Sequence, residues 1–170
     1  PEMATTLDDQ DANSTTVATL TLSNNAKFTI GSDDTSTIQG SSATLSVGAG
    51  TTLTNDGALN IGGITFTTAG TIDFDNSGNT VTYSGQSNDA GVTLINTAYY
   101  NLAFNNAGTI FTQAADLTIG NDLTITVGSL TTEGYDINTE GSLDLDGTLN
   151  ATNGAGGATI INIGGDWDAT

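Results

Sequence analysis

The stretch Ala115-Asp-Leu-Thr-Ile-Gly-Asn-Asp-Leu-Thr-Ile125 contains two short runs of alternating apolar and polar residues, separated by small turn-forming residues. Alternation with period two places the apolar side chains on one face of a β-strand and the polar ones on the other. The same phrase recurs as Leu59-Asn-Ile61-Gly-Gly-Ile64 and as Ile161-Asn-Ile163-Gly-Gly-Asp-Trp167. Very short strands repeated in this way indicate a solenoid whose coils take about 22 residues each.

Similar alternating runs bounded by Gly, Asn, Asp or Ser fill the rest of the chain, and no stretch of ten residues shows an apolar stripe of helical period. The sequence therefore predicts an all-β protein, a parallel β-helix of seven or eight coils and roughly 35–40 Å in length. A β-sandwich or jelly roll is the alternative, although its strands would run longer. The aromatic residues predicted to face inward and stack are Phe28, Phe66, Phe74, Tyr83, Phe104 and Phe111.

The composition excludes several function classes. The chain has 170 residues, a formal net charge of −18, one basic residue (Lys27), no His and no Cys. Zinc sites of the usual kind, thiol chemistry and Ser–His–Asp nucleophiles are therefore excluded. The negative field repels nucleic acid and anionic membranes, and the sequence has no apolar run long enough to insert into a membrane.

The two ends of the chain differ from its middle. Residues 1–16 are rich in Asp and Thr and predict an extended N-terminal arm, and residues 17–170 predict a single β-solenoid domain. Soluble solenoids carry polar caps, often helical, and the sequence predicts no capping helix. Trp167 is predicted to face inward at the last coil. Open ends and an arm together predict stacking of coils end to end.

The segments Tyr100-Asn-Leu-Ala-Phe104, Ala115–Ile125, Gly128–Ile137 and Ile163-Gly-Gly-Asp-Trp167 resemble the repeats of large secreted bacterial β-helix proteins. Those repeats run approximately F-x-N-L-x-I, G-D-L-x-I, G-x-L-D and G-G-x-W, and the match covers residues 60–170 better than the first 60. The resemblance implies a right-handed parallel β-helix in an adhesin, fibre or matrix protein at the cell surface. Pectin-lyase-like enzymes share that fold, but this chain has neither the Arg nor the His that their chemistry uses.

Alternating carboxylates form the candidate metal sites. Asp73, Asp75 and Ser77 followed by Gly78 match the first half of a calcium-binding loop, although Ser84 stands where the loop's final Glu would be. Asp144 and Asp146 repeat the alternation, which places both carboxylates on one face of a strand. The sequence predicts calcium at these positions, against the alternative of a solvated acidic face. The same pairs, with Asp33-Asp34, are the candidates for a carboxylate-only glycan hydrolase, although nothing nearby raises the pKa of one member.

Two outward features favour binding. In the pair Tyr99-Tyr100 one ring must be exposed, which makes the pair a candidate contact for a sugar. Thr-x-Thr pairs begin at residues 19, 35, 52, 65, 80 and 124, and if stacked on one face they would suit ice or a polysaccharide surface. Their uneven spacing along the chain argues against a strict lattice.

These observations predict an extracellular structural protein, a non-enzyme that is a subunit or a segment of a filament or surface fibre and that assembles with itself head to tail. An N-terminal strand added to the neighbouring copy is part of this expectation. The alternative is an adhesin-type module that binds glycan or ice, and a carboxylate-only hydrolase is the third hypothesis.

Overall fold

The structure, a computed structural model, describes residues 4–7, 14–39, 43–62, 65–84, 91–154 and 157–170, with residues 4–7 described in their backbone alone. These residues form strands and turns and contain no helix. The strands are β1 (Ala4–Leu7), β2 (Ser14–Val17), β3 (Thr19–Leu22), β4 (Lys27–Ile30), β5 (Thr35–Gln39), β6 (Thr44–Val47), β7 (Thr52–Asn55), β8 (Ala58–Gly62), β9 (Thr65–Thr68), β10 (Thr71–Asp73), β11 (Thr80–Tyr83), β12 (Val92–Thr93), β13 (Ala98–Tyr99), β14 (Asn101–Thr112), β15 (Leu117–Ile119), β16 (Leu123–Thr131), β17 (Ile137–Thr139), β18 (Leu143–Leu145), β19 (Thr148–Asn150), β20 (Ile161–Ile163) and β21 (Trp167–Ala169).

The strands stack in parallel as a β-solenoid of about 7 turns, which confirms the predicted fold class. One sheet runs the length of the molecule in the order β2-β5-β8-β11-β14-β16-β18-β21. The orders β1-β4-β7-β10 and β3-β6-β9 form two further faces of the N-terminal coils, and β13-β15-β17-β20 forms a face of the C-terminal coils. All named strands of the described chain pair in parallel, which a sandwich or jelly roll would not do.

Two strands are longer than the sequence predicts. β14 spans 12 residues and β16 spans 9, whereas the alternating runs predict two or three inward residues per strand. Both continue around a corner of the coil, with register shifts at Phe104/Asn105 and Asn105/Ile110. The bend allows one strand to serve two faces, because a local irregularity in the ladder redirects the chain without ending the pairing.

Columns of inward side chains hold the coils together. On the long sheet, one column consists of Thr15, Ser36, Leu59, Val81, Leu102, Leu123, Leu143 and Trp167, and the next one of Val17, Ile38, Ile61, Tyr83, Phe104, Ile125, Leu145 and Ala169. Burial of such columns is the main stabilising contribution to a solenoid, because each coil contacts its two neighbours alone.

The aromatic residues cluster in the middle coils. The ring centroids of Tyr83 and Phe104 lie 5.7 Å apart in a stacked arrangement, and those of Phe104 and Phe111 lie 4.8 Å apart. Phe74 is also fully buried, whereas Phe28 and Phe66 are partly buried and pack against the core. The predicted inward position of these six rings is therefore confirmed.

The segment predicted as an N-terminal arm contributes strands where it is described. β1 pairs with β4, and β2 pairs with β5, so both continue the sheets by one coil. Residues 4–7 and 14–16 therefore belong to strands of the solenoid, because their backbones pair with those of the next coil. Residues 1–3 and 8–13 lie outside the described part of the chain, and for them the arm stays a prediction.

Trp167 lies in the predicted inward column but is not covered. It pairs with Leu143 in register, yet its side chain is 58% exposed. The predicted inward position is confirmed, and the ring is exposed because β21 pairs with β18 on one side and with no described strand on the other.

Candidate functional site

The first acidic candidate lies at the end of β10. Asp73 is its last residue, Phe74 turns into the core, and Asp75 and Ser77 are exposed. Desolvation and a hydrogen bond with Asp75, whose negative charge adds to the effect, raise the pKa of Asp73 above its usual range. The structure therefore brings Asp73 and Asp75 together and leaves Ser77 on the surface.

The second acidic candidate lies on the long sheet near its C-terminal end. Asp144 faces outward from β18 directly opposite Asp168 on β21, and Asp146 accepts a hydrogen bond from the hydroxyl of Thr170. Like charges directly opposite each other on neighbouring strands are unfavourable. Among the described residues, no group of three or more carboxylates is placed to hold a metal ion. Calcium at either candidate stays a prediction.

The consecutive carboxylates Asp33 and Asp34 differ in environment. Asp34 is 2% exposed, whereas Asp33 is exposed at the turn. One carboxylate of the pair is therefore buried and the other exposed, and a hydrolase role for them stays a prediction.

The tyrosine pair divides as one buried and one half-buried ring. Tyr99 is 1% exposed, so its ring is not available as a sugar platform, and Tyr100 is the member of the pair that reaches the surface. The Tyr100 ring lies beside Gly120, where a Cβ atom would come within 3.4 Å of the Tyr100 Cδ2. A binding role stays a prediction for Tyr100.

Burial of Tyr99 creates a polar contact that the sequence analysis missed. The hydroxyl oxygens of Tyr83 and Tyr99 lie 2.8 Å apart, and they accept the backbone N–H groups of Ile95 and Asn96 respectively. Beside this pair lies a cleft of about 210 Å³, lined by Leu94, Ile95, Asn96, Thr97, Ala114, Ala115 and Leu117. In the sequence, this contact is indicated only by two tyrosines that lie sixteen residues apart at inward positions. Their positions along the chain do not show that the two hydroxyls meet.

An array of hydroxyls in two columns covers the face formed by β3, β6 and β9. We define this hydroxyl face by two outward columns, Thr19, Thr44 and Thr65, and Thr21, Ser46 and Thr67. Neighbouring strands of the array are about 4.8 Å apart and alternate residues of one strand are about 6.6 Å apart. The uneven spacing of Thr pairs along the chain does not matter, because successive pairs lie on different faces of the solenoid. The six Thr pairs therefore do not form one array, and on this face the pairs of β3 and β9 are joined by Thr44 and Ser46 of β6.

The last coil presents two open strand edges. We call β20 and β21 the terminal rung, because each pairs on one side only with a described strand. Trp167 and Ile160 are 58% and 55% exposed here, and they are the two most exposed large apolar side chains of the described residues. Unpaired backbone beside exposed apolar groups is a template for further strand pairing.

A line of polar side chains runs to the terminal rung along one corner. In this corner ladder of Asn101, Asp122, Ser142 and Asp166, a side-chain oxygen of each coil accepts the backbone N–H of the next member. The distances are 3.3 Å from the Asp122 nitrogen to Asn101 Oδ1, 2.9 Å from the Ser142 nitrogen to Asp122 Oδ1, and 3.1 Å from the Asp166 nitrogen to Ser142 Oγ. The pattern has a direction, and the backbone N–H of Asp166 is its last donor.

Comparisons with known proteins assign no family to this chain. Neither a family model, nor a curated protein, nor a solved structure matches the chain. The described residues include no helix long and apolar enough to span a membrane. The terminal rung, the hydroxyl face and the acidic surface are therefore the features of this chain that point to a function.

Proposed function

We propose that this protein is an extracellular structural protein, a subunit or a segment of a filament or surface fibre in which coils stack end to end. The observation that carries the proposal is the parallel stack of about 7 turns, whose last described strands, β20 and β21, leave an edge that a further coil of this chain or of another copy can continue. Continuation of the sheets by a further coil would pair the edges and cover the indole of Trp167, which gains both hydrogen bonds and apolar burial.

The acidic composition supports the same role. A net charge of −18 limits lateral clumping of rods, because the sides of neighbouring rods repel each other. A composition rich in Thr, Asn, Gly and Asp with a single basic residue, and the resemblance to secreted β-helix repeats, support a scaffold outside the cell. Calcium between acidic surfaces is part of the proposal, as a counter-ion that lowers this repulsion.

Electron microscopy of the purified chain over a concentration series, with calcium and with a chelator, tests the proposal. Filaments one solenoid wide are expected, and their loss in chelator would identify calcium as a component of the contact. Trp167→Asp should abolish the filaments, whereas Ile110→Asp is the matched control, since Ile110 is 47% exposed away from the terminal rung. Isolated short rods at every concentration would overturn the proposal.

The hydroxyl face favours a second candidate function, recognition of ice or of a polysaccharide. Its columns present Thr or Ser at each of six outward positions on β3, β6 and β9, which are neighbours in the sheet. A regular planar array of hydroxyl and methyl groups suits an ordered surface better than a small soluble ligand, because the match repeats with every strand.

Ice recrystallisation assays and cosedimentation with insoluble glycans test this candidate. Thr65→Lys and Thr67→Lys should abolish binding, whereas Thr80→Lys and Thr82→Lys place the same charges on another face as a control. Equal loss in both pairs would contradict a role for the hydroxyl face.

A further inference from the structure

We propose that the cleft beside the tyrosine pair binds a sugar that carries an acetamido group, and that this group is what the cleft receives. The cleft has a volume of about 210 Å³ and lies between residues 94–97 of one coil and Ala114, Ala115 and Leu117 of the next. It shares no residue with the hydroxyl face or the terminal rung, so the inference goes beyond the proposed function and does not depend on it.

The cleft is a gap in the backbone pairing of two neighbouring coils. On one side of it the Leu94 nitrogen donates to the Thr112 carbonyl oxygen at 3.0 Å, and on the other side the Thr118 nitrogen donates to the Thr97 carbonyl oxygen at 2.8 Å. Between these bonds, within the described chain, the backbone N–H groups of residues 114–116 make no hydrogen bond to the carbonyl groups of the coil before. The gap therefore leaves donors along one wall and acceptors along the other, which favours a ligand that pairs with both.

Two features keep the coils apart here. The hydroxyls of the tyrosine pair accept two backbone N–H groups of the first coil, at 3.1 and 3.2 Å, and hold that coil toward the inside. Thr93 pairs with Thr112 and Ala98 pairs with Thr118, so four residues form this corner in the first coil and five form it in the second. Because the lengths differ, the two segments do not pair residue by residue.

The next coil fills the same corner with a side-chain amide. Gln113 occupies, one coil later, the position that Leu94 occupies at the cleft. Its Nε2 atom donates to the carbonyl oxygens of Ala115 at 3.2 Å and of Asp136 at 3.1 Å. Leu94 has no polar side-chain atom with which to do the same. An amide from a ligand would supply at the cleft the donor and the acceptor that a glutamine side chain supplies one coil later.

The walls of the cleft favour an acetamido sugar among small ligands. Leu94 and Leu117 are 7% and 1% exposed and form an apolar floor for a methyl group. Thr97 and Ala114 are exposed at the rim, where the hydroxyls of a sugar ring stay in water. The volume is below the usual range for drug-sized ligands and suits one ring. A net charge of −18 disfavours a carboxylate ligand, and an ammonium group would leave the N–H groups without an acceptor.

Titration of the isotope-labelled chain with N-acetylglucosamine, followed by NMR spectroscopy of the backbone amides, tests the inference. The signals of Ala114, Ala115 and Asp116 are expected to shift with a dissociation constant on the order of 1 mM, a weak affinity that is in keeping with one sugar ring. Glucose, which lacks the acetamido group, is the matched control ligand and should bind at least about tenfold more weakly.

Two variants fill the cleft. Ala115→Leu adds bulk to its wall, and Leu94→Gln places in it the amide that Gln113 supplies one coil later. Each should weaken binding at least about tenfold, because the space or its polar groups are already taken. Ala103→Leu is the matched control, since Ala103 is half-buried like Ala115 but lies on β14 outside the cleft. Circular dichroism checks the fold of each variant, and either one that folds is sufficient for the test.

Each contrary outcome overturns a stated part of the inference. Equal affinity for glucose would overturn recognition of the acetamido group. Equal affinity for N-methylacetamide would show that any amide is sufficient, including that of a peptide side chain, and would overturn the sugar. Loss of binding in Thr65→Lys/Thr67→Lys would place the sugar on the hydroxyl face instead. No shift with any of these ligands would show that the cleft holds water alone. None of these results bears on filament formation, which microscopy measures separately.

Discussion

The hydroxyl groups of Tyr83 and Tyr99 form a hydrogen-bonded pair, 2.8 Å apart, inside the solenoid between β11 and β13. Each hydroxyl also accepts a backbone N–H, from Ile95 at 3.1 Å and from Asn96 at 3.2 Å. Two inward rings of the core thus position the connection between β12 and β13. The pair supplies hydrogen-bond acceptors for the backbone N–H groups of Ile95 and Asn96, which lie between these two strands.

Removal of one of these two hydroxyls should lower the free energy of unfolding, because it leaves buried polar groups without a hydrogen-bond partner. Tyr83→Phe leaves the Ile95 N–H and the Tyr99 hydroxyl without their shared partner, and the free energy of unfolding should fall by about 1–3 kcal/mol. Urea denaturation monitored by circular dichroism measures the change. Tyr100→Phe is the control, because Tyr100 is half-buried and lies outside the pair. The double variant Tyr83→Phe/Tyr99→Phe should cost less than the sum of the two single changes; strict additivity would contradict a coupled pair.

The same pair predicts loss of stability at high pH. Burial raises the pKa of Tyr83 from 10.0 to about 12, and burial followed by the charge of a Tyr83 phenolate raises that of Tyr99 well above its usual value. The stability that depends on the neutral phenols is therefore complete below about pH 10 and is lost as the pH rises through about 12. Phenolate absorbance and ellipticity should change together in this window. Tyr83→Phe/Tyr99→Phe should flatten the pH dependence, and an unchanged profile would refute the assignment.

Gly57 should be irreplaceable because coils approach each other closely at its corner. A Cβ atom there would overlap the carbonyl oxygen of Gly31 and lie 2.5 Å from that of Asp34, both of them backbone atoms. Gly57→Ala should lower the thermal midpoint strongly or prevent folding. At Gly120 the nearest atom to a Cβ lies at 3.4 Å, in the Tyr100 side chain, so Gly120→Ala is the control expected to fold normally. A normal melting curve for Gly57→Ala would contradict the described corner.

Neutralisation of Asp73 should stabilise the protein at neutral pH. Its pKa is raised by desolvation and then by Asp75, so the folded state favours the protonated form, and stability declines as the pH rises above the ordinary value of 3.8. Asp73→Asn should therefore raise the urea midpoint at pH 7 and have little effect at about pH 3.

Calcium should act through the same carboxylates if it binds there. Added calcium is expected to raise the melting temperature of the wild-type chain and to have less effect on Asp73→Asn, because the variant has already lost the repulsion with Asp75. Asp116→Asn is the control on another coil. An equal calcium response of both variants would argue against a site at Asp73.

The sequence by itself determined the class of fold. Alternating runs such as Leu117-Thr-Ile119, repeated with turn residues between them, predict short stacked strands, because period-two patterning allows one buried face and one solvated face. The inward positions of Phe74, Tyr83 and Phe104 followed from the same pattern. The lack of His, Cys and Arg likewise excluded thiol chemistry, the usual zinc sites and catalysis by His or Arg side chains.

Only the tertiary structure decided which residues meet across coils. Thr19 and Thr65 belong to one hydroxyl face because they are two coils apart, and Tyr83 meets Tyr99 because one corner brings them together. Trp167 has an inward pattern but an exposed ring, since the pattern does not show whether a coil covers it. The physical reason is that period two assigns each residue to a side of its strand, whereas turn lengths and bulges set the face and the neighbouring coil.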